Sequence, residues 1–374
     1  MVESLRIAFV TPRFAPQLGG AETYTRCVLS ELATAGHEVE VVAGTAPGLP
    51  SQDVVAGLRV LRSGPSRGEA LVSRGGWLPG FTRAAVQALR TIRPDALVAQ
   101  YSALVPASRY AREAGVPLVA LVHAVFPLGE LVRTRGAAAG TLRYLFGERL
   151  IGRSRPDTVV TPSEATARAA RPLVQAPVYV TGAGVDHVQE GPPPQEDSMR
   201  MIFVGRLVAS KGIRDAVAAA AEVRERLPQV ELMVVGSGSE SRALPAWVKA
   251  VEHLDGADLD REVRSSGVLI LPSTQEGWGL VLCEAAARGV PYVAYDIPAV
   301  REQHDIVEGG LLVEPRDVAG LGRAVERLLS DRALWRRLSA IGRERAREHL
   351  RWRDAAQVME SAILEAGRRG PRAR

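Results

Sequence analysis

Two stretches far apart in the chain open alike: SLRIAFVT at 4–11 and SMRMIFVG at 198–205. Each is a short apolar run with turn chemistry behind it, the pattern of a strand buried on both faces. After each one the hydrophobic periodicity alternates between strand and helix. Alternation of that kind folds into a parallel sheet with helices on both faces. Meeting the same opening twice implies two such sheets, and 374 residues is more than one hydrophobic core usually serves.

In the first half, helical spacing in AETYTRCVLSELATAG ends at Gly36, a C-terminal cap, and HEVEVVAG is the next strand. Helices follow near 81–92, 103–114 and 139–152 and from Ser163, with strands near 95–99, 117–122, 157–161 and 177–181. VQEGPPPQEDS, with three consecutive prolines among polar residues, reads as a linker. Beyond it come strands near 230–235, 267–271, 290–294 and 310–313, then a mostly helical tail. Trp352 opens a last amphipathic helix with Ala355, Val358, Ala362 and Ile363 on one side. The expected fold class is α/β, two Rossmann-like domains: 1–187, a linker at 188–198, 199–350, and a C-terminal helix and tail at 351–374.

Composition excludes several classes. No apolar run approaches the ~18 residues of a membrane span. Cys27 and Cys283 stand far apart, and the six histidines are scattered, so no metal site is expected. The start of the chain has no signal-peptide anatomy, which with so few cysteines makes a reducing cytosol the expected compartment. The net charge is +5, but arginines are spread among acids along the chain, so no nucleic-acid partner is expected. Of 47 basic residues only Lys211 and Lys249 are lysine, a bias expected of a GC-rich genome.

Three stretches suit a phosphate-bearing ligand. PQLGGAETY puts Gly19 and Gly20 between the first strand and its helix, where glycine admits close backbone approach and the helix N-terminus offers free N–H groups. It lacks the full dinucleotide fingerprint, and a glycine pair alone is equally a turn. VGRLVASKG puts Arg206 after Gly205 at the end of the second domain's first strand and Lys211 before its first helix, two cations suited to a diphosphate. The bland alternative is two solvated charges. LPSTQEGWGLVLCEAAARG carries Glu276 and Glu284 on either side of a Gly277-Trp278-Gly279 turn into a helix. A carboxylate inside that helix accepts hydrogen bonds from paired hydroxyls such as those of a ribose. One before the turn reaches hydroxyls beyond the phosphate.

Taken in order, GGAE (19–22), LVHAV (121–125), GVD (184–186), VGRLVASKG (204–212), VGSGSE (235–240) and LPSTQEGWGLVLCEAAARGVP (271–291) resemble glycosyltransferase family 4, retaining transferases of GT-B fold. The resemblance runs over nearly the whole chain and is strongest from Met201 to Glu314. It implies two domains facing each other across a cleft that closes on substrate, the C-terminal helix returning to the first. It implies Arg206 and Lys211 on the donor diphosphate, with Gly205 behind them and a backbone N–H from Gly19-Gly20. It implies Glu284 on the ribose and Glu276 on donor-sugar hydroxyls, with backbone N–H groups of Gly277, Trp278, Gly279, Leu280 and Val281 on sugar and phosphate. His123 matches a histidine beside the reacting centre, Glu22 faces the acceptor, and the base-binding segment falls around Leu254. Trp278 stands where an aromatic such as phenylalanine is common, and IPAVREQHD lacks the family's glycine-rich loop.

The implied reaction is transfer of a sugar from a nucleotide diphosphate sugar, with UDP the expected carrier, to an acceptor hydroxyl by same-face attack. No cofactor and no metal are expected, because Arg206, Lys211 and helix N-terminal N–H groups would meet the charge of the diphosphate. The acceptor stays open among a small metabolite, a lipid-linked sugar and a polymeric glycan. ELVRTRGAAAGTLRYLFGERLIGRSR (130–155) interleaves arginine with apolar residues and leaves a peripheral membrane contact open, beside the plainer reading of a packed helix with an arginine-rich face. Two rivals remain: an epimerase of similar architecture, and a silent nucleotide-sugar-binding protein.

Overall fold

The computed structural model describes residues 4–16, 19–45, 47–64, 79–126, 128–135, 138, 140–141, 144–254 and 256–369. Gln17 and Leu18 of the first glycine motif, Asp255, and residues 136–137, 139 and 142–143 of the arginine-interleaved stretch lie outside them.

The chain divides into two α/β units, Met1–Gly182 with Trp352–Arg374, and Ala183–Arg351. Residues 183–187, read from the sequence as the end of the first domain, therefore belong to the second.

The first unit holds an eight-stranded sheet of order β3-β4-β2-β1-β5-β6-β7-β8: β1 Arg6–Thr11, β2 Glu38–Ala43, β3 Gln52–Val55, β4 Leu58–Arg62, β5 Ala96–Gln100, β6 Leu118–Leu121, β7 Thr158–Thr161 and β8 Val178–Val180. All neighbours pair parallel except β3 with β4, which form an antiparallel hairpin at the edge. Its two-residue turn has Ala56 and Gly57 at φ 51° and 78°, the left-handed pair that matches the twist of a hairpin. Ile7, Ala8, Phe9 and Val10 are fully buried, as a central strand covered on both faces requires. The C-terminal helix Trp352–Arg368 belongs to this unit. It buries Ala355, Ala362 and Ile363 together with Trp352 and Met359, and Ala362 O accepts a hydrogen bond from Thr158 Oγ1 at 3.1 Å. Val358, placed on the apolar side by its spacing, is only half-buried.

The second unit has a six-stranded, all-parallel sheet of order β11-β10-β9-β12-β13-β14: β9 Arg200–Val204, β10 Glu231–Val235, β11 Lys249–Val251, β12 Val268–Leu271, β13 Tyr292–Tyr295 and β14 Gly310–Val313. IPAVREQHD is no open loop here: Pro298–Val307 is a helix with proline in its first turn. The proline-rich stretch is no free tether either. Arg264, buried on the helix Gly256–Arg264, donates to the carbonyls of Gln189 at 3.0 Å and Pro192 at 3.0 Å, and Gln195 N returns a bond to Arg264 O at 2.8 Å.

In each sheet the strand order reverses at the unit's opening strand. β1 lies between β2 and β5, and β9 between β10 and β12. In open parallel sheets, ligands bind outside the carboxyl ends of the strands at that reversal. The chain puts Thr11 and Gln100 at one such point, and Gly205, Arg206 and the 272–279 turn at the other.

Candidate active site

The second unit carries the cations and both signature carboxylates. β9 ends at Val204, and Gly205 passes so close to β10's exit that a Cβ on Gly236 would lie 1.9 Å from Gly205 O. Arg206 follows, exposed and without an ion pair among the described residues. One short helical turn later Lys211 reaches Glu276, its Nζ donating to Oε1 at 2.6 Å. Sequence spacing kept their roles apart, and the structure brings them into direct contact. The Glu276 side chain is only 9% exposed, so the ammonium neutralises a carboxylate that is costly to leave alone.

Gly212 is what allows this arrangement. It sits in the left-handed region at φ 70°, and a Cβ there would meet Pro272 O at 1.9 Å. Backbone packs on backbone, so nothing flexible can move aside. Gly212→Ala should destabilise by about 2 kcal/mol or more, from overpacking added to backbone strain, measured by urea denaturation. A change below ~0.5 kcal/mol, the range of ordinary surface substitutions, would show that this close approach does not fix the loop.

After β12 the chain turns through Gly277, Trp278 and Gly279 into the helix Leu280–Ala287. Gly279, left-handed at φ 87°, is the N-cap, and no side chain caps the helix. The first-turn N–H groups of Leu280 and Val281 thus carry the partial positive charge of a helix start. Trp278 is 6% exposed and serves as core, leaving its backbone for any ligand. Glu284 lies a turn further, bonded through Oε1 to His187 Nε2 at 3.0 Å. His187 is a partner that sequence reading passed over, although it directly follows the GVD motif. Leu254 is half-buried beyond β11.

The first unit holds the remaining predicted residues. Glu22 is in the first turn of the helix Gly20–Thr34, whose N-cap is Gly19, and its carboxylate faces Arg13 Nε at 3.6 Å. His123 stands just past β6, half-buried, with Nε2 at 2.6 Å from Gln100 Oε1. Tyr24 meets its ring edge-on at 5.2 Å between centroids, and Tyr101 stacks on it at 5.8 Å. Burial lowers its pKa from the usual histidine value to about 4, so the imidazole is neutral at physiological pH. Gln100, Tyr24 and Tyr101 were also missed from the sequence. Only Gln100, a polar residue closing the apolar run ALVAQ, carried a signal.

Two family models match in succession, Glycosyltransferase Family 4 over residues 18–189 and Glycosyl transferases group 1 over 198–331. The chain belongs to glycosyltransferase family 4. The glycogen synthase of Mycobacterium tuberculosis is 29% identical over 98% of this chain and 96% of its own. The D-inositol 3-phosphate glycosyltransferase of an Arthrobacter species is 26% identical over 88% of this chain and 87% of its own. In fold, this glycosyltransferase superposes on sucrose-phosphate synthase from Thermosynechococcus elongatus with a TM-score of 0.82. That match has 23% identity and covers 97% of this chain and 100% of the other. The fold is therefore GT-B, and the protein is a glycosyltransferase enzyme. Among the described residues of this family 4 transferase, no helix is long and apolar enough to cross a membrane. None of the His, Cys, Asp and Glu side chains described gather in threes as a metal site.

Proposed function

We propose that this glycosyltransferase moves a sugar from a UDP-sugar to an acceptor hydroxyl, with retention of anomeric configuration and without a metal ion. The observation that carries the reading is the Lys211–Glu276 contact beside exposed Arg206, at the carboxyl ends of the strands where the second sheet's order reverses. A cation paired to a carboxylate at that point suits a diphosphate and a hydroxyl-bearing group joined to it. The second unit is then the donor-binding one. Arg206, Lys211 and the first-turn N–H groups of Leu280 and Val281 stabilise the charge growing on the leaving diphosphate. Glu276 holds donor-sugar hydroxyls. Glu284, with Oε1 occupied by His187, offers Oε2 to the ribose.

The first unit receives the acceptor near Glu22, and His123 meets a sugar hydroxyl. The bond from the anomeric carbon to the phosphate oxygen breaks while the acceptor oxygen bonds to that carbon on the same face. The acceptor's proton passes to the departing phosphate oxygen. A glycan or a polyol acceptor is in keeping with relatives named for glycogen and for an inositol phosphate. Uridine rests on its frequency in the family.

A panel of UDP-, GDP-, ADP- and dTDP-sugars, assayed with EDTA present by thermal shift and slow donor hydrolysis, tests the reading. One nucleotide sugar should stabilise the protein and be hydrolysed slowly to free sugar and nucleoside diphosphate. Glu284→Ala should weaken its binding about 10- to 100-fold, the worth of hydrogen bonds to a charged group. Donor isomerised without release would indicate an epimerase instead, and binding with no turnover a sensor.

A further inference from the structure

The geometry points to Gln100 as the positioning residue that sets which nitrogen of His123 carries the proton, so that Nδ1 meets a substrate hydroxyl as a hydrogen-bond acceptor. The inference rests on the proposed role of His123 at the sugar and adds what fixes its polarity.

One chain of hydrogen bonds in the first unit fixes this polarity. Arg13 O lies 2.7 Å from Thr11 Oγ1, and a carbonyl only accepts, so the single hydroxyl proton of Thr11 points there. Thr11 Oγ1 must then accept from its other neighbours, which are Arg13 N at 3.2 Å and the Gln100 amide at 2.7 Å. The Gln100 atom facing Thr11 is therefore the NH2 group, and its oxygen faces His123 at 2.6 Å. An amide oxygen only accepts, so His123 Nε2 carries a proton. In a neutral ring Nδ1 is then bare.

Thr11 and Gln100 are 0% and 1% exposed, so bulk solvent does not compete for these bonds. The ring plane is fixed as well. Tyr24 and Tyr101 pack on it, and Tyr24 is itself tied to Thr181 Oγ1 at 2.5 Å. Tyr101 takes the left-handed region at φ 53°, unusual for a residue with a side chain, directly after Gln100. No further hydrogen bond engages the His123 ring among the described residues.

The consequence is chemical. A bare Nδ1 welcomes a hydroxyl and disfavours a phosphate or carboxylate oxygen. A carboxylate at position 100 would reverse this. It would draw a second proton onto the ring and make Nδ1 a donor. The titratable groups in this neighbourhood are the phenols of Tyr24 and Tyr101 on the ring, and Arg13 with Glu22 beyond Thr11. Burial pushes the Tyr24 phenol upward, so it stays neutral.

The experiment is 15N NMR of histidine-labelled protein without substrate, with the His123 signal assigned by its loss in His123→Asn. At pH 7 the wild type should show Nε2 protonated and Nδ1 bare. Gln100→Leu should give a mixture of tautomers, and turnover should fall about 10- to 100-fold in kcat with donor KM little changed. The scale is that of removing the hydrogen-bond partner that orients a metal-ligating histidine. Gln100→Glu should show both nitrogens protonated near pH 6, with turnover recovering as pH rises and the ring loses its second proton. A wild-type spectrum with Nδ1 protonated would overturn the inference. So would a folded Gln100→Leu protein with unchanged tautomer and unchanged kcat. The wild-type spectrum needs no activity, so it decides the polarity of His123 even if the proposed transferase reaction fails its own test.

Discussion

Replacing Lys211 by alanine should lower kcat by about 10²–10³, the loss seen when one group stabilising transition-state charge is removed. Two effects contribute. On the proposed reading, the leaving diphosphate loses a cation at the moment its charge grows. Glu276, a side chain 9% exposed and bonded to Lys211 in the present structure, is left as an unpaired anion beside that phosphate. The second effect makes the two positions interdependent. Glu276→Gln in the Lys211→Ala background should lose less than the sum of the single losses, because the unpaired charge is gone. The measurement is steady-state transfer with the four enzymes. Equal additivity in free energy would mean that the contact belongs only to the ligand-free protein. A loss under tenfold in Lys211→Ala would leave Arg206 and the helix N-terminus as sufficient for the diphosphate.

What was legible in the sequence follows from which interactions are local. The opening strands and the helix after Trp278 were readable because their signals are contiguous: apolar runs, a left-handed glycine, a helix start. The fold class followed from their order. The hairpin Gln52–Val55 with Leu58–Arg62 was not read, since its strands are short and the Ala56-Gly57 turn is a weaker signal than Asn-Gly. The three-residue strand Lys249–Val251 was missed for a like reason: all three residues are exposed and no apolar run marks them. Arg206, Lys211 and Glu276 were singled out by residue type on a loop, and Glu284 by its place in the helix that follows one. What they touch was hidden, because pairing is set by sheet order. Lys211 and Glu276 meet only because β9 lies beside β12, and His187 reaches Glu284 from 97 positions away. Gln100 illustrates the same limit. Its place at the end of a buried strand was visible, but its amide orientation depends on a carbonyl at Arg13.

Arg264 shows what the proline-rich stretch was hiding, and its replacement by methionine should cost about 3 kcal/mol. The guanidinium, 4% exposed in its side chain, donates to Asp260 at 2.7 Å and to the carbonyls of Gln189 and Pro192. Methionine fills much of the volume but leaves those acceptors without their donor. Arg288 Nε still holds Asp260 at 2.9 Å, which keeps the loss near the lower end for a broken buried pair. For a unit of this size the melting temperature should fall by roughly 6–12 °C. Acid dependence separates this cause from simple repacking. Burial works to raise the Asp260 pKa, but the Arg264 hydrogen bond and the charges of Arg288 and Arg264 outweigh it and hold it below the usual range. A carboxyl depressed in the folded state stabilises above its unfolded pKa, about 3.9, and loses that contribution as pH falls through the folded value. The gap between wild type and Arg264→Met should therefore be constant from pH 6 to 8 and narrow below about pH 4. Urea denaturation at pH 7 and pH 3 measures both. A gap that stays the same at pH 3 would assign the loss to the linker carbonyls alone, and a gap under ~1 kcal/mol at pH 7 would mean that the proline-rich stretch is held without Arg264.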